Sequence, residues 1–380
     1  MKKSASLIFA LVLTTYSIYS QNVKVSDYVV PVSQAGTMRF DGNWNFAQNG
    51  DTVTSNIASG TLSATTFYSS LPLAWFVNLD ASGTSSARNN SNYNISFNAS
   101  FQKYVLEAED WFGFSKYSAV GKNTYAAPAT DVSVGFGYGR YINATALAKA
   151  VRIESHFLSE GVIYEYLPKA AILKIASIIE KENEYSSLYG STFETIWIRD
   201  IEREIQASGI ALDESLGAMA TLRIRQVLFG INERVNKRYY GWATNIGFLF
   251  PLTTYNKKKS GYPNLSFNAT YSIPLNWALQ VNSTTEISTP MDSLFFQDVI
   301  GRSGIDFIYE LNNRVNIVSS YRFALIKSSG MIPTVSNYIN LSFWYYIENN
   351  INFTVNSNYS KEINKPKQIT TTVGLQYNLY

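Results

Sequence analysis

Cysteine is absent from the 380-residue chain, and histidine occurs once. The first absence excludes disulfides, thiolate metal sites and lipid attachment at a cysteine behind a leader. The second leaves any chemistry that needs a shuttling imidazole with His156 alone. Charge is also scarce: 16% of residues are charged, against roughly 25% in ordinary soluble domains. The net charge is only +3 and the basic residues are scattered, so there is no electrostatic footprint for nucleic acid. What the chain does hold is aromatic surface, with 27 Tyr, 22 Phe and 7 Trp. Asn, Ser and Thr supply much of its polarity.

The N-terminus begins with Lys2 and Lys3 and runs through apolar or small residues from Ser4 to Ser20, richest from Leu7 to Leu13. This reads as a secretory leader, residues 1–20, cut near Ser20 ahead of Gln21. The stretch is too short and too interrupted to span a membrane comfortably as a helix. Export is expected.

Period-two alternation dominates the rest. Tyr93, Ile95, Phe97, Ala99 and Phe101 alternate with Asn92, Asn94, Ser96, Asn98, Ser100 and Gln102. Leu265, Phe267, Ala269, Tyr271 and Ile273 repeat the pattern, as do Ile351, Phe353, Val355 and Tyr359. Alternate side chains point to opposite faces of a strand, and runs of about ten residues match tilted strands crossing a bilayer. A soluble sandwich alternates too, but its inner face favours Val, Ile and Leu and its wet face carries charge. Here one face is heavy in Tyr, Phe and Trp, and the other is neutral and polar. The expectation is mainly β, a transmembrane antiparallel β-barrel of about 14 strands, with 12 as the alternative because the strand near 52–69 is poorly patterned. Barrel segments at 21–142 and 239–380 flank an insertion at 143–238. After residue 238 long links (253–261, 288–296, 327–334, 361–366) alternate with short turns at Pro274, Asn312–Asn313 and Asn349, which places both barrel ends in the periplasm.

The last residues, Leu375, Tyr377, Leu379 and Tyr380, resemble the terminal strand of outer-membrane proteins, although Tyr380 does not share the parity of Tyr377 and Leu375. The bias to Asn, Tyr and Ser resembles a Bacteroidota outer-membrane protein. The resemblance implies an outer-membrane location in contact with lipid and lipopolysaccharide.

The insertion is different in kind. Residues 143–238 hold 25 of the chain's 59 charges, and the period lengthens to about 3.6. Four amphipathic helices are expected, forming a periplasmic domain. The first is capped at Asn143 or Thr145 and buries Leu147, Ala150, Val151 and Leu158. The second opens at Leu167-Pro168 and buries Ala171, Ile172, Ile175 and Ile179. The third is opened by a capping box, Ser191 with Glu194, and buries Phe193, Trp197, Ile201 and Ile205. The fourth is capped at Asp213 and buries Leu216, Met219, Ala220, Ile224, Val227, Leu228 and Ile231. The domain hangs in the periplasm, tucks into the barrel as a plug, or docks on a protein partner.

The chemical motifs are sparse. His156 reads as a polar residue on a helix surface, and no catalytic, metal or cofactor residues are expected. Gly135, Gly137 and Gly139 share one parity, giving either a smooth, narrow lumen wall or room for something to approach it closely. Arg302, Asp306, Glu310 and Arg322 have inward parity, as an ion-filtering constriction or a satisfied lumenal network. Lys257, Lys258 and Lys259 form a solvated loop tip or meet lipid phosphates. Thr52 and Ser293, in Asp51-Thr52-Val53 and Asp292-Ser293-Leu294, resemble the acceptors of Bacteroidota O-glycosylation. The expected role is a non-enzymatic barrel whose insert docks or plugs within an envelope assembly, the alternative being a small-solute channel gated or narrowed by the insert.

Overall fold

The computed structural model describes residues 23–377 apart from 87–90, 107–108, 213–215, 232, 258–260, 294, 349–350 and 364. The expected leader, the Asp213 cap, Lys258, Lys259, Leu294 and the terminal Tyr380 lie outside the described residues. Fourteen strands form one antiparallel sheet in sequence order, the larger of the two expected counts. The first six are β1 (Ser33–Asn49), β2 (Thr52–Ser69), β3 (Leu73–Ser86), β4 (Asn92–Tyr104), β5 (Trp111–Lys122) and β6 (Ala129–Asn143). The other eight are β7 (Tyr239–Thr253), β8 (Asn264–Pro274), β9 (Leu279–Pro290), β10 (Val299–Glu310), β11 (Val315–Lys327), β12 (Thr334–Glu348), β13 (Ile351–Glu362) and β14 (Gln368–Tyr377). The poorly patterned segment at 52–69 is a full strand, held by seventeen aligned pairs with β1. Among the described residues β1 and β14 end the strand order without pairing to each other.

Register keeps the two faces distinct across the sheet. One row runs Tyr68, Trp75, Phe101, Ser115, Val134, Phe248 through consecutive strands. The adjacent row, on the opposite face, runs Phe67, Phe76, Ser100, Lys116, Ser133, Leu249. The apolar face is bare: Trp44 is 69% exposed and Phe136 54%. A sandwich would bury that face against a second sheet. Here the buried apolar cluster lies in the insertion, not between strands. A sheet with one uncovered aromatic face suits contact with hydrocarbon.

The insertion joins β6 to β7. The four expected helices are present: α1 (Thr145–Ser159), α2 (Lys169–Glu180), α4 (Phe193–Ala207) and α5 (Gly217–Phe229), with a further short helix, α3 (Glu182–Tyr189), between the second and third. Their apolar stripes meet around Trp197, Phe157, Ile172, Ile201 and Ile224, each at most 1% exposed. Val23, Val25 and Tyr28 from the segment before β1 join this core.

Three local expectations fail. Ser191 does not cap α4, because the 3-10 turn Gly190–Thr192 leads directly into it and Phe193 N bonds Gly190 O instead. Met219 is 57% exposed, one position off the stripe formed by Ala220, Ile224, Val227 and Leu228. Ile231 is exposed because α5 stops at Phe229, with Gly230 in the left-handed conformation beyond it.

Candidate functional site

The insertion meets the sheet at the ends of strands nearest its own attachment, on the polar face. Glu310, the last residue of β10, is the anchor. Its carboxylate accepts from Arg152 Nη2 of α1 at 2.7 Å and from Asn236 N at 2.9 Å and Nδ2 at 2.8 Å. Arg238 Nη2, just before β7, lies 3.0 Å from the same carboxylate and donates to Trp277 O at 2.9 Å. Asn236 Nδ2 also donates to Asn316 Oδ1 of β11 at 2.8 Å. Arg238 is 1% exposed and Glu310 6%. Burial pushes the Arg238 guanidinium below its usual range, and the Glu310 charge opposes that shift. Arg238 is fully buried and Arg152 largely so; both are costly to desolvate, and the shared carboxylate is what offsets that cost.

His156 belongs to this cluster and corrects the expectation of a surface residue. It is 8% exposed, and its Nε2 donates to Glu233 Oε1 at 2.9 Å. Arg152 Nη1 reaches the same Glu233 at 3.4 Å. Arg152 and His156 are one turn apart on α1, which is covered on two sides: by the other helices and by the strand ends. Apolar periodicity reveals only the first side.

Further contacts spread the attachment around the sheet. Ser187 Oγ of α3 donates to Gly36 O of β1 at 2.7 Å. The Arg234 guanidinium lies 5.0 Å from the Trp344 ring of β12. Tyr240 OH of β7 donates to Tyr28 O at 2.6 Å, Trp277 Nε1 to Val23 O at 3.1 Å, and Lys169 pairs with Asp27 at 2.8 Å. The leading segment is therefore a strap between helices and sheet. From β1 to β12, the insertion is fastened across one end of the sheet.

The polar face beyond it carries the other expected residues. Arg322 and Asp306 form an ion pair at 2.7 Å, and Arg302 faces Glu286 at 3.7 Å. Glu310 stands apart from both pairs, so the four residues expected together divide between the strand face and the anchor. The glycine track is close-packed. A Cβ at Gly135 would come within 2.5 Å of the Phe114 ring, and one at Gly137 would meet both Phe112 and Thr244 O. The glycines thus let two aromatic rings of β5 lie flat on β6, the second of the two expectations. Lys257 is exposed in the loop after β7; Thr52 and Ser293 are exposed at the strand ends remote from the helices.

The arrangement defines a class: a 14-stranded antiparallel sheet with one bare aromatic face and a helical module fixed across one end. No family model matches the chain, and no curated protein matches it. Among solved structures, it is similar to the crystal structure of the Pseudomonas putida toluene transporter TodX, at 9% identity and TM-score 0.24, over 92% of this chain and 88% of that one. A TodX deltaS2S3 mutant, described as a monoaromatic hydrocarbon channel, matches at 9% identity and TM-score 0.24, over 96% and 94% of the two chains. Likeness at that level assigns no function to this chain.

Proposed function

We propose that the protein is a non-enzymatic outer-membrane channel for small solutes whose periplasmic mouth is closed by the helical insertion. One observation carries this reading: the insertion is clamped on the polar side of the sheet, from β1 to β12, through the cluster around Glu310. A module that only hung in the periplasm would not need two arginines paired with one buried carboxylate at a strand terminus. The wall beyond it is lined by Asn, Ser, Thr and a few paired charges, suited to water-filled passage. The Asn- and Tyr-rich strands support a Bacteroidota envelope as the setting, with lipid and lipopolysaccharide around the aromatic face.

Single-channel conductance in a planar bilayer tests the reading, using the full chain and a deletion of residues 145–236. The deletion is expected to conduct steadily and the full chain to conduct rarely. Silence from a correctly folded deletion, verified by heat-modifiable gel migration, refutes it.

The second reading is an accessory subunit that docks through the insertion. It is favoured by Leu212, Met219 and Leu222, which are 60%, 57% and 45% exposed there. Partners that co-purify with the full chain but not with a Met219→Glu/Leu222→Glu variant would support it.

A further inference from the structure

A cavity of about 400 Å³ lies between the polar face of β1–β3 and helices α2 and α3. That volume is within the usual range for small-molecule sites. Its wall is unlike the rest of the polar face. Phe67 and Phe76 stack at 5.7 Å with their planes 17° apart, and Val30, Pro31 and Ala35 extend the apolar surface. Most of this face is Asn, Ser and Thr; Phe112 and Phe114 on it are packed against the β6 glycines, whereas Phe67 and Phe76 open onto the cavity as a flat platform.

Opposite the platform stands Glu180, at the end of α2, the single charged residue lining the cavity. It accepts a hydrogen bond from the neutral Tyr28 hydroxyl at 3.1 Å. Burial raises its pKa, partly offset by that bond and by Lys149, whose Nζ is engaged by Leu228 O at 2.8 Å. Ser33 also lines the cavity. Its hydroxyl is buried, with no hydrogen-bond partner. A buried polar atom left unpaired costs about 1–3 kcal/mol, so such atoms are usually matched by something.

We infer that this cavity binds a small organic amine, with its apolar or aromatic body on Phe67 and Phe76 and its ammonium group toward Glu180 and Ser33. A bound cation would give the half-buried carboxylate a direct charged contact, which neither the neutral Tyr28 phenol nor Lys149, bonded to Leu228 O, supplies. The inference rests on the channel reading for the solute's route, and names its class. Binding itself is an equilibrium property, independent of conduction.

The test uses fluorine NMR of para-fluorobenzylamine with the full chain in zwitterionic-lipid nanodiscs, with empty discs subtracted. Saturable line broadening is expected, with para-fluorophenylacetate showing none. Glu180→Gln should weaken binding about tenfold, the usual loss for a charge-assisted contact. Ala35→Trp, or Thr65→Trp from the neighbouring strand, should abolish it by filling the space, with folding verified by heat-modifiable migration. Amine binding unchanged in Glu180→Gln and in a folded tryptophan variant, or equal binding of the acetate, overturns the assignment. Saturable, variant-sensitive binding in a protein whose insertion deletion does not conduct would keep the site and discard the channel.

Discussion

Arg152 in the first helix of the insertion and Glu310 at the end of β10 form an ion pair at 2.7 Å across 158 positions of sequence. The pair is largely buried, at 15% and 5% side-chain exposure, and Arg238 joins it from the other side. Removing the shared carboxylate would leave the buried Arg238 with only Trp277 O and Arg152 with only the longer contact to Glu233 at 3.4 Å. Glu310→Ala is therefore expected to loosen the insertion by about 3–5 kcal/mol, the usual cost of breaking a buried pair from one side. Glu310→Gln should cost less, because the amide oxygen still accepts from Asn236. Limited proteolysis within 145–236 measures this, and an unchanged cleavage rate in Glu310→Ala would remove the anchor role.

Closure can be tested without deleting anything. The chain has no cysteine, so an introduced pair is the sole thiol chemistry present. Ala35 on β1 and Ser186 on α3 line the same cavity from opposite sides. An Ala35→Cys/Ser186→Cys variant bridged by a short bismaleimide is expected to hold the mouth shut, with openings fewer than in the unbridged variant. Equal conductance before and after bridging would show that the insertion does not move during conduction.

Stability of the insertion should depend on pH through Glu154. Its carboxylate is buried and accepts from Leu167 N at 2.7 Å. Burial raises its pKa from 4.5 to about 7. The folded state then holds a proton that the unfolded state releases between these values. Stability from this group is present below about pH 4.5 and falls as pH rises toward 7, by on the order of 3 kcal/mol. Thermal unfolding of the helical signal should occur at lower temperature at pH 8 than at pH 5, and Glu154→Gln should flatten that difference. An equal slope in the variant would assign the pH dependence elsewhere.

The glycine track yields a graded series. At Gly137 a Cβ would meet the Phe112 ring and lie 2.5 Å from backbone Thr244 O, which cannot swing away. At Gly247 the nearest atom is the Phe114 ring tip at 2.9 Å, and at Gly121 nothing lies within 4 Å. Alanine substitution should sharply lower the yield of the heat-modifiable folded form at Gly137, moderately at Gly247 and not at Gly121. The opposite order would mean that ring packing on β6 does not limit assembly.

Much of the fold was legible because side-chain alternation is a local property. Tyr93, Ile95, Phe97, Ala99 and Phe101 sort to one face whatever the partner strand, so about 14 strands, with 12 as the alternative, are readable from the pattern and turn residues. The switch to a 3.6-residue period at Asn143 marked the insertion for the same reason, and stripes such as Ala171, Ile172, Ile175 and Ile179 were readable. Met219 and Ser191 depart from the pattern because a helix start depends on the preceding turn, and one residue of shift rotates a side chain by about 100°.

The candidate site was less legible. Glu310 stood out by parity alone and was grouped with Arg302, Asp306 and Arg322, whereas its partners Arg152, Asn236 and Arg238 come from the insertion. His156 gives no sign of burial, since its partner Glu233 lies 77 positions away, beyond the last helix of the insertion. Local periodicity and backbone sterics set the strands, their two faces and the amphipathic helices of the insertion. Contacts between distant segments place the module over the polar face, gather its charges into one cluster and bring Phe67 and Phe76 to the same cavity as Glu180. Those outcomes depend on ion pairs and packing between segments more than seventy residues apart, and no local pattern encodes such contacts.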